Sequence, residues 1–147
     1  MREPALLGPR TEQVPFEAQS GDGRLQGVAD ADRDGRDEVF VHVGTGAYTD
    51  QTSVFRYVEG RLRLVTLDGR QLWLVSGSSV RSSASWACRP PAAPLVQWVG
   101  SSTDSRAYTG PLVSYRFSGA AVVQVARRSL TVDGETRPPS GCGEMPT

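Results

Sequence analysis

Three residue types are absent from this chain of 147 residues: there is no Lys, no Asn and no Ile, and all 16 basic residues are Arg. Without Lys no Schiff-base chemistry on a lysine amine is possible, and without Asn there is no N-x-Ser/Thr glycosylation acceptor. Long apolar runs are missing too, none approaching the ~18 residues of a membrane-spanning helix. Lys+Arg and Asp+Glu are both 16, giving a net charge of +0, so no field of one sign draws the chain to nucleic acid or an anionic membrane. His42 is the only histidine. No G-x-S-x-G elbow, P-loop, Rossmann glycine pattern or H-E-x-x-H is present. A hydrolase would therefore have to assemble around His42 from distant residues, and a strand-face histidine is the plainer reading.

Cysteine is scarce. Cys88 and Cys142 are the two in the chain, with no C-x-x-C, and even with His42 they fall short of a structural zinc site. They read either as a disulfide, which implies an oxidising compartment, or as two buried thiols. The first ten residues, MREPALLGPR, lack the apolar centre of a signal peptide, so an exported form is expected to have shed its leader.

What is present is self-similarity. Ala47–Tyr57, AYTDQTSVFRY, aligns without gaps with Ala107–Phe117, AYTGPLVSYRF, 60 positions on. Arg56 matches Arg116, and each segment is followed by a glycine turn, at Gly60 and Gly119. A strand-like run comes next in each copy, Leu62–Leu67 and Ala121–Ala126. Upstream, VFVHVG at 39–44 pairs with LVQWVG at 95–100, and GVAD at 27–30 with SWAC at 85–88. The period lies in the range of propeller blades. The runs are short, alternate in polarity and are bounded by turn residues, with Arg-Pro-Pro at 89–91 and 137–139 as loop or edge signals. They predict an all-β chain, one domain over 1–147, built as two tandem blade-like antiparallel four-stranded repeats. Repeat 1 spans about 11–69, the degenerate repeat 2 about 70–134, and a tail 135–147.

The chemistry concentrates in DADRDGRDE, Asp30 to Glu38. Asp30, Asp32 and Asp34 alternate, Gly35 permits a sharp turn, and Arg36 offers a backbone carbonyl. Alternating acids in a tight loop converge their carboxylates, and a hard cation such as calcium takes six to eight oxygens at about 2.3–2.6 Å. The alternative is a solvated acidic turn, its repulsion relieved by Arg33 and Arg36. An EF-hand would need Glu at position 12 of the loop, which is Val41. The loop, leading into VFVHV, instead resembles the FG-GAP/VCBS repeat family, whose calcium loop reads D-x-D-x-D-G-x-x-D/E. That resemblance implies calcium held by side chains of Asp30, Asp32, Asp34 and Glu38 and by the Arg36 carbonyl, with Asp37 outward. It also implies a seven-bladed propeller, for which two repeats are too few. The chain is then a fragment, a half that pairs with something, or a two-blade sandwich of its own.

In the second copy the loop reads CRPPAAP, with Cys88 near the place of Asp30, so a Cys88–Cys142 bond would stand where the first copy has a cation. Tyr48 and Tyr108 fall at equivalent positions and are the candidates for a binding face. Trp73, Trp86 and Trp98 read as core more readily than as a sugar-stacking surface. The functional expectation is a non-enzymatic, calcium-braced module, secreted or in the cell envelope, with an unidentified protein or glycan partner. A segment completing a larger propeller is the second reading and a His42 hydrolase the third.

Overall fold

A computed structural model describes residues 11–18, 23–90, 93–134 and 140–142. Among these, all regular structure is strand: β1 (Arg24–Ala29), β2 (Glu38–Thr45), β3 (Thr49–Val58), β4 (Arg61–Leu64), β5 (Thr66–Leu67), β6 (Arg70–Gln71), β7 (Leu74–Ser78), β8 (Ser82–Arg89), β9 (Ala93–Ser101), β10 (Ala107–Ser118) and β11 (Ala121–Asp133). They form one mixed sheet in the order β1-β2-β3-β7-β8-β9-β10-β11-β5-β6, with β4 also on β3. Only β11–β5 is parallel. No helix among the described residues is long and apolar enough to cross a membrane. The Arg-Pro-Pro at 137–139 lies outside the described residues.

Turn chemistry sets the hairpins. Glu59 and Gly60 both take positive φ, 53° and 77°, between β3 and β4, and Asp68 and Gly69 do the same at 52° and 79° between β5 and β6. Two consecutive positive φ values give the turn whose twist matches that of the flanking strands. The run expected over 62–67 breaks at Val65. Its N–H donates to Val54 O at 2.8 Å, while Thr66 N turns to Ala120 O at 3.0 Å. The segment 61–67 thus bridges two strands: β4 pairs with β3 and β5 with β11. β3 meets β7 along Thr49–Thr52 and β4 along Phe55–Val58.

The strands between curl round one core containing Phe40, Val54, Val65, Leu74, Trp86, Leu95, Val113, Tyr115 and Val122. Phe40 stacks on Trp86 with ring centroids 5.4 Å apart. β1–β4 and β8–β11 are each antiparallel meanders. Their registers agree over β2–β4 and β9–β11, but the first hairpins are offset by two residues: Val28 pairs with Val39, whereas Trp86 pairs with Gln97. Val39 pairs with Phe55 as Leu95 pairs with Tyr115, and Tyr57 pairs with Leu62 as Phe117 pairs with Val122. β7 hydrogen-bonds β3 on one side and β8 on the other, which joins both meanders into the single sheet.

Candidate metal centre

The loop 30–38 joins β1 to β2 at one end of the curled sheet. Its own side chains fold it. Asp30 Oδ1 accepts the Asp34 N–H at 3.0 Å and Oδ2 the Gly35 N–H at 2.8 Å, and Asp34 Oδ1 accepts the Arg36 N–H at 2.9 Å. Such Asx bonds are local substitutes for a backbone turn. Gly35 at φ 92° takes the left-handed conformation the reversal needs. Glu38 opens β2 only 1% exposed, and its Oε1 accepts the Ala31 N–H at 2.9 Å.

One carboxylate oxygen from each of Asp30, Asp32 and Glu38 lies within 4.8 Å of the others. Asp32 Oδ1 is buried with no hydrogen-bond partner. Calcium–oxygen distances of about 2.3–2.6 Å place ligand oxygens within about 5 Å of one another. The all-oxygen donor set, its spacing and the unpartnered Asp32 oxygen fit a hard cation. The Asp34 carboxylate adjoins this trio, sharing Arg56 Nη2 with Asp32, and Asp37 is exposed. Arg36 is exposed as well, its N–H bound to Asp34.

The countercharge inside the loop comes from β3. Arg56, buried, places Nη2 2.9 Å from Asp32 Oδ2 and 3.3 Å from Asp34 Oδ2, and Nε 3.4 Å from Glu38 Oε2. Its Nη1 donates to Gly119 O at 2.8 Å, and its guanidinium lies 4.2 Å from the centre of the Phe117 ring. One guanidinium therefore faces the carboxylates and ties their loop to the β10–β11 hairpin. Arg33 and Arg36, the relief expected from the sequence, are exposed. The signal for Arg56 was its recurrence as Arg116 in the second copy. Arg116 is exposed: in β10 Val113 and Tyr115 face the core, so Arg116 points outward, whereas Arg56 shares the inward face of Val54.

Burial acts on the acids unequally. Desolvation pushes the Glu38 carboxyl up to about 7, with Asp32 and Asp34 adding to the rise and the Ala31 N–H and Arg56 opposing it. Asp32 is raised as well, chiefly by burial, against the pull of Arg56. Asp30 is lowered: desolvation opposes, but the Gly35 and Asp34 N–H groups and its side-chain bonds outweigh it. A carboxylate that resists ionisation in the company of others is one a cation would relieve.

The other residues singled out lie elsewhere. Cys88 and Cys142 stand at disulfide distance, Cα atoms 4.9 Å apart. His42 Nε2 is 3.1 Å from Asp50 Oδ1 and 3.1 Å from Thr45 Oγ1, beside a cleft of about 300 Å³ at the other end of β2 and β3. Tyr48 is 63% exposed, whereas Tyr108 is buried in β10 with its hydroxyl on Ser79 O at 2.9 Å. Only Tyr48 is presented to solvent. Trp86 and Trp98 are buried, and Trp98 donates its indole N–H to Leu130 O at 3.1 Å. No protein-family model matches the chain, and neither curated proteins nor solved structures give a match.

Proposed function

We propose that this protein is a calcium-braced, non-enzymatic module of two blade-like repeats, acting outside the cell or in its envelope and binding a protein or glycan partner. The observation that carries the reading is the convergence of Asp30, Asp32 and Glu38 around an unpartnered Asp32 oxygen. Asp30, Asp32 and Glu38 would hold the ion; it would supply the positive charge that one guanidinium leaves wanting among these acids. The cysteine pair suits an oxidising compartment. The matched registers of β2–β4 and β9–β11 support the two-repeat reading. An enzymatic reading would run through His42, whose Nε2 is engaged by Asp50 and Thr45.

Extracellular calcium modules bind at around 10⁻⁴–10⁻³ M. At about 1 mM calcium, linkage then contributes roughly 0.4–1.4 kcal/mol. That magnitude belongs to a brace and not to a switch of the whole fold. Thermal unfolding in calcium against chelator, repeated on Asp32→Ala, tests it. The wild type should gain a few degrees with millimolar calcium and the variant none. A wild type indifferent to calcium overturns the metal reading.

A further inference from the structure

The core lies on one face of the sheet, yet part of the opposite face is also closed to solvent. In β10 Val113 and Tyr115 face the core, so Leu112 and Ser114 point the other way. Leu112 pairs with Trp98 on one side and Arg128 on the other, and Trp98 pairs with Ser85. These four residues form a row across the outer face of β8–β11. Trp98 is 1% exposed, and Val96, two residues before it on the same face, 7%. The Trp98 ring lies over Gly100, where a Cβ would collide with it, and its indole N–H reaches Leu130 O on β11. An apolar floor is thereby built where a sheet face turned away from its core is ordinarily polar.

This floor carries a cleft of about 330 Å³ walled by Leu112, Leu130 and Val132, a volume within the range of small-molecule sites. Two cations line it as well, Arg89 from β8 and Arg128 from β11, and among the described residues no acidic side chain does. Neither guanidinium has an ion-pair partner among the described residues. The cleft is therefore apolar in its floor and positive at its sides. The complement of such a site is an apolar chain ending in an anion. A guanidinium matches a carboxylate bidentately, with stronger bonds than a neutral pair makes. A neutral glycan would leave both cations unmatched, and a cationic chain would be repelled. The lining runs from β8 to β11, three strand spacings or about 14 Å, which suits a linear chain.

We propose that this cleft binds a small carboxylate with an apolar chain, of the class of a medium-chain fatty acid, the chain lying over Val96 and Trp98 and the carboxylate held by the arginines. The site is separate from the acidic loop. It goes beyond the calcium reading and stands without it.

Decanoate is the probe, titrated into the full chain with chelator present and followed by the methyl resonances of leucine and valine. It should bind saturably between about 10 μM and 1 mM. The shifts should fall on Leu112, Leu130 and Val132 and spare Leu25 and Val28, which are exposed on β1. Decanol should bind several-fold more weakly and decyltrimethylammonium not at all. Arg89→Gln combined with Arg128→Gln should weaken decanoate about ten-fold and leave decanol within about two-fold. Leu112→Trp, which fills the cleft, should abolish binding of both; Val132→Trp replaces it if circular dichroism shows that it does not fold. Decanoate that fails to saturate, or that shifts Leu25 and Val28 equally, overturns the proposal. Equal binding of the acid, the alcohol and the ammonium overturns it too, since the arginines would then select nothing. The calcium reading is tested separately by Asp32→Ala and survives either result.

Discussion

Arg56 Nη2 sits 2.9 Å from Asp32 Oδ2 while its Nη1 holds Gly119 O at 2.8 Å. One side chain of β3 thus neutralises part of an acidic loop and fastens it to a hairpin 63 residues away in sequence. The loop is anchored from within before any ion is considered, and a cation bound there would share its carboxylates with Arg56.

Removing that guanidinium leaves Glu38, buried, and Asp32, mostly buried, without their countercharge. Breaking a buried ion cluster from one side costs about 3–5 kcal/mol. Exposure of Asp34 places Arg56→Met toward the lower end, about 3 kcal/mol. Arg116→Met, the matching change on an exposed position, should fall within about 0.5 kcal/mol of wild type. Urea unfolding measures both. Calcium at millimolar levels should restore part of the stability of Arg56→Met, because it supplies charge to the same acids. Equal costs for the two variants would remove Arg56 from its structural role.

Glu38 gives the protein a pH dependence of definite sign. Its carboxyl titrates near 4.5 when unfolded and is raised to about 7 in the fold, first by desolvation. Between those values the folded state binds more protons than the unfolded chain, so stability falls as pH rises through this window and levels off above it. The fall is on the order of 3 kcal/mol for a shift of this size. Glu38→Gln keeps an oxygen for the Ala31 N–H and cannot ionise, so its unfolding midpoint should flatten between pH 5 and pH 7 (a window of about two units, set by the same linkage). Bound calcium favours the charged carboxylate, so its stabilisation of wild type should grow over the same range. A Glu38→Gln profile parallel to wild type would assign the dependence to other groups.

The acidic trio was legible in the sequence because its members are local: alternating aspartates, a glycine for the turn and a glutamate opening the next strand are fixed by spacing alone. Arg56 was not, because its approach depends on the β2–β3 register, which places Phe55 opposite Val39 and so brings its neighbour to Glu38. The all-strand character could be read from the short alternating runs and the glycine turns between them. The bridge through Val65 could not, since a strand that changes partner half-way carries the same alternation as one that does not. Tyr108 shows the limit of matching copies. Its counterpart Tyr48 precedes β3, but β10 begins at Ala107, and the side chain lands inside the sheet on Ser79 O.

The tail is held at a joint that β7 leaves open. β7 pairs with β8 only at Ser83 and Ala84. Further along β8 the free edge takes up residues 140–142. Gly141 bridges Ala87, its N–H donates to Trp86 O at 3.0 Å, and the Trp86 N–H donates to Ser140 Oγ at 3.3 Å. Cys142 packs into the core beside this edge and stands at disulfide distance from Cys88, with a sequence separation of 54. Closing a loop of this length constrains the unfolded chain by about 4 kcal/mol in the chain-entropy model. Reduction, or Cys88→Ala, should therefore cost about that much in urea unfolding. Cys142→Ala should cost more than Cys88→Ala, because Cys142 is the more deeply buried and the smaller side chain leaves a void beside Trp86. The double variant should match Cys142→Ala within about 1 kcal/mol, because either change alone already opens the loop. Thiol titration of the protein under denaturing, non-reducing conditions should find none free. Two titratable thiols, with stability indifferent to reductant, would leave the tail held by its hydrogen bonds and packing alone.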